Sequence, residues 1–86
     1  MAKNETKAPE VTVNASTFRG SVYSQLVGVT ITDIDVTLEF VYVNPRDKTQ
    51  GEVVSRVTIP RQTGQELAKV IRDTVAQHEE KKRGEN

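Results

Sequence analysis

The sequence predicts an α+β domain: a three-stranded antiparallel β-meander with one C-terminal helix packed on one face (β-β-β-α). Two observations predict it. Between Phe18 and Ile59 the chain is rich in Val, Ile, Thr and Tyr and alternates apolar with polar residues, the period of a half-buried strand. After Ile59 the apolar spacing changes to Leu67, Val70, Ile71, Thr74 and Val75, the i, i+3, i+4, i+7, i+8 stripe of an amphipathic helix.

The first strand is expected over Val22 to Ile31 and the second over Ile34 to Val43. In the second, Ile34, Val36, Leu38, Phe40 and Tyr42 are apolar and Asp35, Thr37 and Glu39 polar, so one face is dry. Thr32-Asp33-Ile34-Asp35 supplies turn chemistry between them, with two-residue and four-residue loops both open. The third strand is expected over Glu52 to Ile59, with Val53, Val57 and Ile59 inward. The loop Asn44 to Gly51 has Asn-Pro at one end and Gly at the other, strong turn punctuation.

One register reconciles strands two and three. It sets Val41 opposite Val54, Glu39 opposite Arg56, Thr37 opposite Thr58 and Val43 opposite Glu52. On the other face Leu38 then meets Val57, Val36 meets Ile59 and Tyr42 meets Val53. An opposite-charge pair, a Thr–Thr pair and aliphatic pairs result together.

The helix start has two solutions. Pro60 suits the first helical position, where its missing N–H has no partner. Thr63 with Glu66 also fits a capping box. Gly64 costs helix stability and suits an early turn. The helix is expected to fade near Glu80, with Lys81, Lys82 and Arg83 at its carbonyl end and Gly84 as a stop. Residues 1–16 read as a flexible tail, residues 17–80 as the single domain and residues 81–86 as a second tail. Val11-Thr12-Val13 leaves open a short extra edge strand.

Composition narrows the function classes. The chain of 86 residues has 12 basic and 12 acidic side chains and no cysteine, so disulfides and thiolate metal sites are excluded. Zero net charge gives no global drive toward nucleic acid or membrane. The N-terminal residues contain no apolar run, so neither a signal peptide nor a membrane span is expected there, and cytoplasmic residence is the expectation. One histidine, His78, lacks the partners of a metal or catalytic site and reads as a core-edge or helix-end residue. Tyr23 and Ser24 have no base or glycine-rich loop beside them; Tyr23 reads as a half-buried ring at the sheet end. Glu39 and Arg56 read as a cross-strand ion pair on a solvated face, with Arg56 also suited to an interface rim. No cofactor is expected, and an enzyme is not.

A candidate surface remains. On the face away from the helix, Leu26, Val41, Val43 and Val54 stand among polar neighbours, with Glu39 and Arg56 beside them. Such a patch marks a contact site. A two-fold homodimer would hide it on both copies and add stability that a small domain without disulfides lacks. The alternative cover is the chain's own tail, through Val11, Val13 and Phe18. Another protein is a further possible partner. The alternative function is a nucleic-acid-binding domain using Arg46, Lys48, Arg56 and Arg61; the balanced charge and Asp35, Glu39 and Glu52 argue against it.

Gly20-Ser21-Val22-Tyr23-Ser24, Glu39-Phe40, Val43-Asn44-Pro45, Ser55-Arg56-Val57 and the helical Leu67 and Val75 occur in order. Over about residues 18 to 80 this resembles the short prokaryotic proteins catalogued as domain of unknown function 3467. Pro60 stands one position earlier than that pattern's helix-opening proline. The resemblance implies a small soluble bacterial or archaeal protein and carries over no catalytic residue.

Overall fold

The structure is a computed structural model that describes residues 10–84. Strands β1 (Leu26–Ile31), β2 (Asp35–Val43) and β3 (Gly51–Pro60) are followed by one helix, α1 (Arg61–Gly84). The sheet is antiparallel in the order β1-β2-β3. This is the expected β-β-β-α meander.

β1 is shorter than its apolar pattern, starting at Leu26 rather than Val22. Gln25 explains the stop. Its backbone N–H donates to Val41 O at 3.1 Å, and its side-chain amide then pairs with the next available peptide group. Val43 N–H donates to Gln25 Oε1 at 2.9 Å, and Gln25 Nε2 reaches Val43 O at 3.5 Å. An amide side chain offers the same donor and acceptor as a backbone peptide. With β2's last residue so satisfied, Val22 and Tyr23 have nothing to pair with and lie exposed. Tyr23 is therefore not the half-buried ring its sequence position suggested.

The β1–β2 turn is built on Thr32. Its N–H donates to Asp35 O at 2.9 Å, leaving Asp33 and Ile34 between the bonded pair. Its hydroxyl accepts from the N–H groups of Ile34 and Asp35 and donates to Asp35 Oδ1 at 2.7 Å. The turn uses no residue of positive φ, so it forms without the glycine that most two-residue hairpins need. The β2–β3 loop is held by Asn44 and Asp47 in the same manner. Arg46 N–H donates to Asn44 Oδ1 at 2.8 Å. Thr49 donates to Asp47 Oδ1 from its N–H at 3.1 Å and its hydroxyl at 2.6 Å.

The register between β2 and β3 follows expectation for Val36–Ile59, Thr37–Thr58, Leu38–Val57 and Glu39–Arg56. It then shifts by one between Phe40 and Val41. A β-bulge sets Val54 and Ser55 together opposite Phe40, so Val41 pairs with Val53, Tyr42 with Glu52 and Val43 with Gly51. An inserted residue reverses inside and outside for everything beyond it. Val53, expected inward, thus stands beside Val41 on the side away from the helix. Gly51 fits because a Cβ there would lie 2.8 Å from Val41 Cγ1.

α1 follows β3 with no intervening residue: Pro60 ends the strand and Arg61 opens the helix. The junction is tied back to the first turn, since Arg61 N–H donates to Ile34 O at 3.0 Å and its guanidinium reaches Thr32 O at 3.4 Å. The helix thus starts at Arg61, between the two expected starts, and continues four residues past Glu80. Gly64 lies against the sheet: a Cβ on it would be 3.0 Å from Val36 Cγ2 and 3.7 Å from Ile59 Cδ1. The missing side chain lets the first turn of α1 approach the central strand closely.

The core is correspondingly small. Among the described residues only Val36 is buried, at 7% exposure. α1 packs on β2 and β3. A helix about 10 Å across covers about two strands spaced about 4.8 Å apart. The third is left open: Val27, Val29 and Ile31 of β1 share the helix side through their pairing with Phe40, Leu38 and Val36, yet each is half-exposed or more. Every helical residue from Gln65 to Gly84 is exposed. Val11, Val13 and Phe18 are exposed as well, and residues 11–13 form no strand. The early part of the described chain therefore covers neither face. Of the expected tails, residues 1–9 and 85–86 lie outside the described residues.

Candidate functional site

Two apolar surfaces stand open, one on each face of the sheet. The first is the expected patch. Leu26 pairs with Val41, and Val41 with Val53, so three aliphatic side chains form a row across all three strands. Val43 follows along β2, two residues on from Val41. Val54 does not belong to this row. It occupies the bulge and has no partner of its own, and Val53 takes the place expected for it. The signal available in the sequence was two adjacent valines, either of which satisfies the alternation; nothing local says which one a bulge sends outward.

Beside the row lie the polar residues. Arg56 donates from Nε (2.9 Å) and Nη2 (2.6 Å) to the same Glu39 Oε2. The two side chains are 61% and 39% exposed, so this pair on a solvated face is worth at most about 1 kcal/mol. The hydroxyls of Thr37 and Thr58 meet at 2.9 Å. Gly28 sits opposite Glu39 on β1. The surface is therefore an aliphatic row bordered by an internally neutralised charge pair and hydroxyls.

That arrangement bears on phosphate binding. Arg56 is engaged by Glu39, and Arg61 is turned to the Thr32 carbonyl. Arg46 and Lys48 lie in the β2–β3 loop, away from both. The four basic residues do not form one positive stripe.

The second surface lies on the helix side, and the sequence pattern did not reveal it as open. A groove of about 390 Å³ runs between β1 and α1. Val29 and Ile31 of β1 and Val36 and Leu38 of β2 form its floor, and Leu67 and Ile71 of α1 form its wall. The lining of α1 reaches no further than Ile71. Val70 and Val75, in the same stripe, stay half-exposed. His78 is exposed, not at a core edge.

Asp47 is the described carboxylate whose proton affinity clearly departs from the ordinary. The Thr49 hydroxyl and then the Thr49 N–H, both donating to its carboxylate, hold its pKa below the usual aspartate value. This is a loop-ordering effect. Among the described residues no group of three or more His, Asp or Glu side chains is placed to hold a metal ion, and no helix is long and apolar enough to cross a membrane.

A family model matches residues 1–85 of the chain. The chain belongs to DUF3467, a family of proteins of unknown function. No curated protein and no solved structure matched it. Membership in DUF3467 accords with the Tyr23-Ser24, Glu39-Phe40 and Ser55-Arg56 motifs. In the folded chain Glu39 and Arg56 are cross-strand partners, so one residue from each of two of these motifs meets on the open face of the sheet.

Proposed function

We propose that this member of DUF3467 is a small non-enzymatic protein-interaction module that acts as a homodimer, in the cytoplasm of a prokaryotic cell. The observation that carries this reading is the near absence of a core: a fully formed β-β-β-α unit with Val36 alone buried among the described residues. Ordering each backbone residue costs about 1–2 kcal/mol. A small domain offsets this mainly by burying apolar surface, or else by disulfides, metals or association. This chain has no cysteine. Association is the means its composition leaves.

The residues expected to serve as an interface, Leu26, Val41, Val43, Glu39 and Arg56, with Val53 in place of Val54, share the open face and support the interaction role by offering a surface to a second protein. An apolar row with a neutralised ion pair at its border suits a protein surface better than phosphates. Light scattering on the eluting full chain tests association. The expected mass is twice the chain's 9.6 kDa; a single 9.6 kDa species at high micromolar concentration removes the proposal.

A further inference from the structure

We infer that the groove between β1 and α1 is filled by α1 of a second copy, so that a two-fold pair lays each helix over its partner's β1. This rests on the homodimer reading above and goes further by fixing which face joins the copies. The first argument is what each element lacks. The helix side of the sheet needs cover for Val27, Val29 and Ile31, while α1 needs a partner for Val70, Ile71 and Val75. In an isologous pair the same two surfaces meet twice.

The second argument is reach. α1 has 24 residues, about 36 Å of helix, but its groove-lining part ends at Ile71. The remaining length extends past the groove and carries the half-exposed Val75. Because Pro60 and Arg61 join strand to helix without a loop, α1 has no slack with which to turn back and cover β1 itself.

The third argument is area and charge. Val27, Val29, Ile31, Leu67, Val70, Ile71 and Val75 are between 38% and 59% exposed. Together they offer on the order of 600 Å² per copy, or about 1,200 Å² for the pair, the size at which specific interfaces begin. The open-face row Leu26, Val41, Val43 and Val53 offers less. Net charge is zero, and beside the stripe Lys69 is paired to Asp73 at 2.8 Å, so two copies approach without repulsion. Among the described residues, Val11, Val13 and Phe18 lie exposed and do not fill the groove, and the sequence of residues 1–9, Met-Ala-Lys-Asn-Glu-Thr-Lys-Ala-Pro, is poor in large apolar side chains.

The test is a half-labelled sample of the full chain, read by NOEs filtered for contacts between copies. Cross-peaks from the methyls of Val70, Ile71 and Val75 to those of Val27, Val29 and Ile31 are expected. A dimer whose inter-copy cross-peaks fall only among Leu26, Val41, Val43 and Val53 would place the second copy on the open face; the helix assignment then fails while the homodimer stands. Inter-copy peaks between helices without any to β1 would also overturn the assignment. A monomer by mass would overturn both. A pair of variants gives a second reading: Val75→Asp should weaken dimerisation ~30-fold or more, and Val41→Asp should leave it within a few-fold; the reverse order contradicts the inference.

Discussion

Gly64 shows how a single missing side chain decides the packing. By intrinsic propensity, a glycine in a helix is about 0.8–1 kcal/mol worse than alanine and nearly as much worse than leucine, so Gly64→Leu would stabilise an isolated helix. Here its Cβ position lies 3.0 Å from Val36 Cγ2 and 3.4 Å from Val36 Cβ, and Val36 alone is buried among the described residues. Overpacking at such a site costs about 1–3 kcal/mol, which outweighs the helical gain. Thermal melts should therefore show Gly64→Leu less stable than wild type; an unchanged or raised midpoint would refute the close approach. Sequence showed that Gly64 is costly in a helix and suits an early turn, but not what it packs against.

Asp47 gives a residue-scale pH dependence. Its pKa is lowered by the two Thr49 donors, so the folded loop favours the carboxylate. That contribution is fully present above the unfolded aspartate value of about 3.9 and is lost as pH falls through the lower folded value. A carboxyl carbon NMR titration should place the Asp47 midpoint below about 3.9, and Thr49→Val should move it back toward that value. An Asp47 midpoint that ignores Thr49→Val would break the link. The asparagine–proline and glycine ends of this loop were readable as punctuation; the Asp47–Thr49 geometry inside it was not.

At the scale of elements, the first part of strand β2 was the most legible part of the chain, because strict alternation over Asp35–Phe40 has one reading. The pairing of Glu39 with Arg56 and Thr37 with Thr58 followed from chemistry that matches only in one register. The strand ends were less legible, each for a physical reason. Beyond Phe40 a bulge absorbs one residue, and the consecutive Val53 and Val54 satisfy the apolar pattern either way. Before Leu26, the β-rich run Val22-Tyr23 continues the strand signal, but the Gln25 side chain has already closed the ladder. Gln25→Leu removes the acceptor for Val43 N–H at the cost of one exposed hydrogen bond, about 1 kcal/mol. Hydrogen exchange at the Val43 amide should then quicken by up to about tenfold with the Val36–Glu39 amides little changed. Equal change throughout would show that Gln25 acts on global stability and not on the strand end.

For the whole molecule, the stripe Leu67, Val70, Ile71, Val75 correctly announced a helix with an apolar side, but not how much of that side its own sheet could use. The limit comes from three dimensions acting together: a three-stranded sheet, one helix wide enough for two strands, and a β3–α1 junction of zero residues. Short αβ and βα connections usually run to several residues and let the helix settle along its sheet. Here Gly64 seats the first turn on Val36, and α1 beyond Ile71 runs past the groove. The sequence reading put the spare apolar surface on the open face; the larger one lies beside the helix.

If a second copy completes the core, folding and association are one equilibrium, and stability depends on protein concentration. Urea unfolding of the full chain across about a hundredfold range of concentration measures this directly. The midpoint should rise steadily with concentration, by about 2.7 kcal/mol of apparent stability over that range for a folded dimer in equilibrium with unfolded chains. A midpoint that stays fixed from low to high micromolar would mean that one chain holds its fold alone.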